Sequence, residues 1–121
     1  MATLAIPKVI TFDCYDTLCE FRIDDFTREL LADRAAGVDV GAMLKDYEDL
    51  RLDTTTYAPY APYRDVLRET QREIFTRYGI PWRESDAEAL LADIVTWGPF
   101  PDVPPALEKL RQHSKLAIIT N

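Results

Sequence analysis

The sequence predicts an α/β protein: two short parallel strands with a long helical stretch between them. Three observations carry that expectation. The runs Val9-Ile10-Thr11-Phe12 and Lys115-Leu116-Ala117-Ile118-Ile119-Thr120 are short, apolar and rich in β-branched residues, the pattern of strands buried on both faces. The stretch between them carries apolar residues at helical spacing, punctuated by Gly and Pro. Apolar strands joined through helices pair in parallel by a right-handed crossover, so both deliver their last polar residues to one sheet edge.

In chain order, Lys8 to Phe12 reads as the first strand. Ile23 to Ala35 reads as a helix with Phe26, Leu30 and Leu31 on one face, Asp24 and Asp25 near its positive end, and Gly37 as its stop. Val40 to about Leu52 is a second helix. The run from Thr54 to Pro62, with Pro59 and Pro62, reads as a loop. Tyr63 to Tyr78 is a third helix, with Leu67, Ile74 and Phe75 on one face and Gly79 and Pro81 as stop signals. Ser85-Asp86-Ala87-Glu88 has the form of a capping box and opens a fourth helix, expected to reach Trp97. Gly98 to Asp102 is a breaker-rich connector, and Pro104-Pro105 opens a short helix through Leu107 and Leu110. Lys115 to Thr120 is the second strand.

Composition narrows the function. The 121 residues are 47% hydrophobic and 29% charged, ordinary for a globular chain with one modest core. A formal net charge of -7 argues against a nucleic-acid or anionic-membrane partner. No apolar run is long enough to span a bilayer. Residues Met1 to Lys8 lack a basic region followed by a long apolar one, so they do not read as a signal peptide, and the cytoplasm is the expected location. The two cysteines, Cys14 and Cys19, would close a very small loop if bridged, so reduced thiols are expected. His113 is the only histidine, and no Cys/His cluster has zinc spacing.

The functional signal is Asp13-Cys14-Tyr15-Asp16-Thr17, directly after the first strand. A carboxylate there stands at the carboxyl edge of a parallel sheet, where ligands bind in open α/β folds. Strands lie about 4.8 Å apart, so Asp13 and the pair Thr120 and Asn121 could face one small ligand. Read from spacing alone, a turn or helix-cap aspartate is the favoured reading of Asp13, and Thr120 and Asn121 form a plain strand-end turn.

Val9 to Leu18 resembles motif I of the haloacid dehalogenase superfamily, and Leu116 to Asn121 resembles its motif II. Pro99 to Pro104, followed by Leu107 and Leu110, is similar to the return from cap to core in the L-2-haloacid dehalogenase (type II) branch. The resemblance spans essentially the whole chain. It implies a partial Rossmann-like core over 1–20 and 99–121 with a helical cap inserted over 21–98. It makes Asp13 the nucleophile, since an ionised carboxylate can attack carbon or phosphorus and leave an ester or acyl phosphate for water to cleave. It implies that Thr17 orients that carboxylate, that Thr120 binds the substrate carboxylate, and that Asn121 offers its amide to departing halide.

Tyr15 separates the branches. Phosphatases of the superfamily place an acidic residue there to protonate the leaving alkoxide, and a phenol with a pKa of about 10 is a poor substitute. Halide leaves as an anion and needs no acid, so Tyr15 points to a dehalogenase and to substrate contact; aromatic packing is the equal alternative. Asp16 replaces the glycine usual in the family, in a turn where positive φ is harder for Asp than for Gly. The family takes an arginine from the early cap to hold the substrate carboxylate. Arg51 is the nearest candidate, although a solvated helix-face arginine is the plainer reading. Tyr57, Tyr60 and Tyr63 with their prolines, and likewise Trp97 and Phe100, could line the site or an interface, with Phe100 at the hinge where cap meets core; cap packing is the preferred reading.

The expected activity is displacement of halide from a short 2-haloalkanoic acid, with a small-molecule carboxylate as partner and no cofactor. A Mg²⁺-dependent phosphatase, with Mg²⁺ as its cofactor, and a non-catalytic fragment are the alternatives. The family continues past motif II to a lysine and an acidic loop. Ending at Asn121, the chain reads as truncated and inactive alone, with open sheet edges that invite pairing such as a homodimer.

Overall fold

Strand β1 (Val9–Phe12) lies parallel to strand β2 (Lys115–Ile118), with Val9 opposite Lys115 and Phe12 opposite Ile118. The pairing runs on past the last strand residue, where the Ile119 N–H donates to the Phe12 carbonyl at 2.8 Å. The computed structural model describes residues 3–120. It is a mixed α/β structure of one two-stranded sheet and five helices: α1 (Ile23–Leu30), α2 (Val40–Tyr57), α3 (Tyr63–Arg77), α4 (Glu84–Ile94) and α5 (Val103–Leu110).

The chain divides into two compact units, one of Met1–Phe21 with Trp97–Asn121 and one of Arg22–Thr96. The first holds the sheet and α5. Its strands are not buried on both faces as their composition predicts: Val9 is 54% exposed, Ile118 56% and Ile119 68%. The reason is the small sheet. Among the described residues each strand pairs only with the other, and α5 contributes only the half-buried Val103 and Leu107.

The second unit holds the apolar core, built from residues such as Ile23, Met43, Tyr47, Leu67, Phe75 and Leu90 on all four of its helices. Three boundaries differ from expectation. Helix α1 ends at Leu30, and the N–H groups of Arg34 and Ala35 turn back to the Leu31 carbonyl. Helix α2 continues through the threonine run to Tyr57. There Thr54 Oγ1 donates to the Leu50 carbonyl at 2.7 Å and Thr55 Oγ1 to the Arg51 carbonyl at 3.0 Å. Bonding back by four residues satisfies those hydroxyls inside a helix despite their weak propensity, and Pro59 then prevents continuation. Helix α4 starts earlier and stops at Ile94, short of Trp97. Its N-cap is Arg83, whose backbone N–H donates to Asp86 Oδ2 at 3.0 Å, so Asp86 closes the box as its third residue rather than standing second in a box opened by Ser85.

Asp86 is also the polar hub of this unit. Arg34 grips it with two parallel bonds, Nη1 to Oδ1 at 2.8 Å and Nη2 to Oδ2 at 2.9 Å. Arg34 Nη2 also donates to the Pro81 carbonyl. Gln71 on α3 donates from Nε2 to the Asp86 carbonyl at 3.2 Å and accepts from Trp82 Nε1 at 3.0 Å. The segment after α1, helix α3 and the start of α4 thus meet at one residue, the first and last on its carboxylate and α3 on its backbone carbonyl. Burial alone would push the Asp86 carboxyl up, but the Arg34 fork and the Arg83 N–H outweigh it and hold it below its usual range.

An acid whose folded pKa is depressed contributes stability above its unfolded pKa and loses it as pH falls through the folded value. Asp86→Asn is therefore expected to cost about 2–4 kcal/mol at neutral pH, because it leaves the Arg34 charge without its partner. The gap between variant and parent should narrow below about pH 4. Urea titrations at pH 7 and pH 3 check both; an equal gap at the two values refutes the assignment.

Candidate functional site

The turn after β1 is wound on one carbonyl. The Cys14 C=O accepts from the N–H groups of Thr17 at 3.3 Å, Leu18 at 2.8 Å and Cys19 at 3.2 Å, while the Asp16 N–H donates to the Cys19 carbonyl at 2.8 Å. A turn this tight forces Asp16 to a φ of 57°, the only positive value at a non-glycine residue among those described. Aspartate enters this left-handed region at some cost, where glycine enters freely. The same winding brings Thr17 back over the strand end, and its Oγ1 donates to Asp13 Oδ2 at 3.1 Å. The nucleophile candidate and its expected orienting hydroxyl are therefore in contact, both exposed at the carboxyl end of β1.

Beyond the turn, Leu18 to Glu20 runs antiparallel to residues 98–100. The Glu20 N–H donates to the Gly98 carbonyl at 3.1 Å and the Phe100 N–H to the Leu18 carbonyl at 3.1 Å. This ribbon corrects the reading of Trp97 as cap packing on the fourth helix. Trp97 belongs with the sheet, and its ring meets Tyr15 edge-on at 6.1 Å and Phe21 at 5.8 Å; Tyr15 and Phe21 are also 5.8 Å apart. Tyr15 thus packs in an aromatic trio and is half-buried. Burial, followed by the nearby Cys14 and Cys19, pushes its phenol above its usual pKa, so it holds its proton more tightly than a free tyrosine. The trio escaped sequence reasoning because Trp97 reaches Tyr15 only through a ribbon joining distant parts of the chain.

The register of the sheet places the other candidates. Phe12 is opposite Ile118, so Asp13 is level with Ile119 and Thr120 stands one residue further along the same edge, exposed. Asn121 lies outside the described residues. The opposite, amino end of the strands carries Lys8 and Lys115, which with Val9, Arg111, His113 and Ser114 line an open groove of about 570 Å³. That groove is at the wrong end of the sheet to serve Asp13.

Arg51 belongs to the helical unit. It is not the solvated helix-face arginine that its sequence context predicts: it is 5% exposed, and its guanidinium lies 4.4 Å from the ring centre of Tyr47, one turn earlier on α2. Helix α2 packs against α3. Stacking on an aromatic ring lets a guanidinium be buried at lower cost. Tyr57 and Tyr60, expected to pack in the cap, are 81% and 95% exposed, at the end of α2 and in the proline-bearing segment after it. Among the described residues no group of three or more His, Cys, Asp or Glu side chains is placed to hold a metal ion.

No known protein family and no curated protein matches the chain.

Two predictions follow from this geometry. At Asp16, glycine is expected to be tolerated and valine to be less stable than glycine by about 1–2 kcal/mol, since a β-branched residue is disfavoured at positive φ; thermal melts of the two variants decide it. Burial of Tyr47 pushes its pKa up to about 12, although the Arg51 charge pulls the other way. A group whose folded pKa is raised loses its contribution as pH climbs from the unfolded value of about 10 to the folded one. The parent should therefore lose about 2–3 kcal/mol across that interval relative to Tyr47→Phe, measured by urea unfolding at pH 9 and in stronger alkali.

Proposed function

We propose that the chain carries the nucleophile of a haloacid dehalogenase-like hydrolase acting on short 2-haloalkanoic acids. One observation carries the reading: the Thr17 hydroxyl is bonded to Asp13 Oδ2 at the carboxyl end of a parallel strand. With Oδ2 held, Asp13 Oδ1 is assigned as the attacking atom. It displaces halide from C2 with inversion; the carbon–halogen electron pair leaves with the halide, and an ester to Asp13 forms. Water then cleaves the ester, releasing the 2-hydroxy acid and the carboxylate. Thr120, on the same edge, is assigned to the substrate carboxylate. The raised pKa of Tyr15 supports halide over phosphate, because a phenol that grips its proton is a poor acid for a leaving alkoxide. On this reading residues 1–121 alone turn over little or no substrate. The register sets Lys8 and Lys115 at the far end of the strands, and no described lysine pairs with Asp13.

The test measures halide release from L-2-chloropropionate, and phosphate release from small phosphomonoesters with and without Mg²⁺, on the full-length gene product and on residues 1–121. Halide release by the full-length product should fall about a thousandfold or more in Asp13→Asn. Tyr15→Phe should cost far less than the ~100-fold that loss of a general acid costs. Mg²⁺-dependent phosphate release without halide release, or halide release indifferent to Asp13→Asn, overturns the proposal.

A further inference from the structure

The turn that carries Asp13 also brings together the only two thiols of the chain. Cys14 Sγ and Cys19 Sγ are 3.7 Å apart, and both are free and half-buried. Sequence proximity alone does not give this contact. It follows from the backbone: the Cys19 N–H on the Cys14 carbonyl at 3.2 Å, the Asp16 N–H on the Cys19 carbonyl at 2.8 Å, and the left-handed Asp16 between them fold the segment back on itself. The ribbon to residues 98–100 then anchors Cys19 from the other side, through the bridge to Pro99. A disulfide needs its sulfurs about 2.05 Å apart, so closure brings the two sulfurs together from 3.7 Å.

We propose that Cys14 and Cys19 form a reversible modification site, a dithiol that hydroperoxides convert to an intrachain disulfide closing the turn beside Asp13. In the first step a thiolate of the pair attacks the terminal peroxide oxygen; the O–O bond breaks, hydroxide leaves from hydrogen peroxide (alkoxide from an organic hydroperoxide) and a sulfenic acid forms. In the second the other thiol attacks that sulfur, the S–O bond breaks and water leaves with both protons. Two electrons pass from the pair to the peroxide, and a dithiol reductant returns them. The six-residue ring from Cys14 to Cys19 favours ready reduction, since a short loop gains little from closure. Tyr15, Asp16 and Thr17 all lie inside the ring, so oxidation restrains the turn whose Thr17 hydroxyl holds Asp13. The site stands on this geometry and does not depend on the chemistry assigned to Asp13.

The experiment treats reduced protein with one equivalent of hydrogen peroxide and follows intact mass and peptide maps, folded and in 8 M urea as the unfolded reference. The expected result is loss of two hydrogens, a Cys14–Cys19 linkage within one chain, full recovery with dithiothreitol, and closure at least about tenfold faster folded than unfolded. Cys14→Ser and Cys19→Ser should each give no intrachain bond and a single glutathione adduct with oxidised glutathione. Equal rates folded and unfolded, a linkage between chains, or sulfinic acid on either cysteine in place of the disulfide overturns the proposal.

Discussion

The parallel pairing of β1 with β2 is the constraint on which the sheet unit depends. It joins Val9 to Lys115 and Phe12 to Ile118, residues from opposite ends of the chain. A parallel pair cannot be closed by a hairpin; its connection must travel the length of the strands and return. The intervening chain meets that demand with an entire helical unit, Arg22–Thr96, and with α5 directly before β2. Parallel direction also decides where chemistry can sit. Both strands present their carboxyl ends together, so Asp13 and Thr120 fall on one edge while Lys8 and Lys115 fall on the other. An antiparallel pairing of the same two segments would have put Lys115 beside the end of β1 and removed Thr120 from it.

The two units are held by different physics. The helical unit has the buried apolar core and a polar hub in Asp86, whose carboxylate satisfies the Arg34 fork and the start of α4 at once. Such a hub binds the unit strongly when complete and is costly when broken, because each partner is then left desolvated. Among the described residues of the sheet unit none is fully buried. It relies on backbone pairing: the ladder, the ribbon of 18–20 with 98–100, and three N–H groups converging on the Cys14 carbonyl. Its aromatic side chains Tyr15, Phe21 and Trp97 pack as a trio, with Tyr15 supplied by the same turn.

That turn concentrates the candidate functional features. Asp13, the hydroxyl that holds it, a strained Asp16 and the two neighbouring thiols all lie within seven residues. Backbone held in a rare region persists only where its surroundings over-determine it, and here the bonds to Cys14 and Cys19 do so. The position that burdens the turn is thus also the one that brings Thr17 to Asp13 and Cys14 to Cys19.

Much of this was legible in the sequence. Short apolar runs marked the strands, period and breakers marked the helices, and a carboxylate after a strand marked Asp13, because these signals depend on residues close in the chain. The extension of α2 through its threonines was not legible, since propensity and nearby prolines argue for a loop until the hydroxyls are seen to bond back into the helix. The cap of α4 was misplaced because Asp86 also serves Arg34, more than fifty residues earlier. Burial of the strands was overestimated because composition records what a strand can bury, whereas neighbours decide what it does bury. Arg51 looked solvated because nothing local announces the ring beneath it or its burial. The sequence by itself determined the elements and the reactive residue types of this protein. Tertiary structure decided which of them meet: Thr17 with Asp13, Cys14 with Cys19, and Trp97 with Tyr15. The physical reason is that those contacts are made by turn winding and strand register, and both are set by hydrogen bonds between parts of the backbone rather than by the identity of any one side chain.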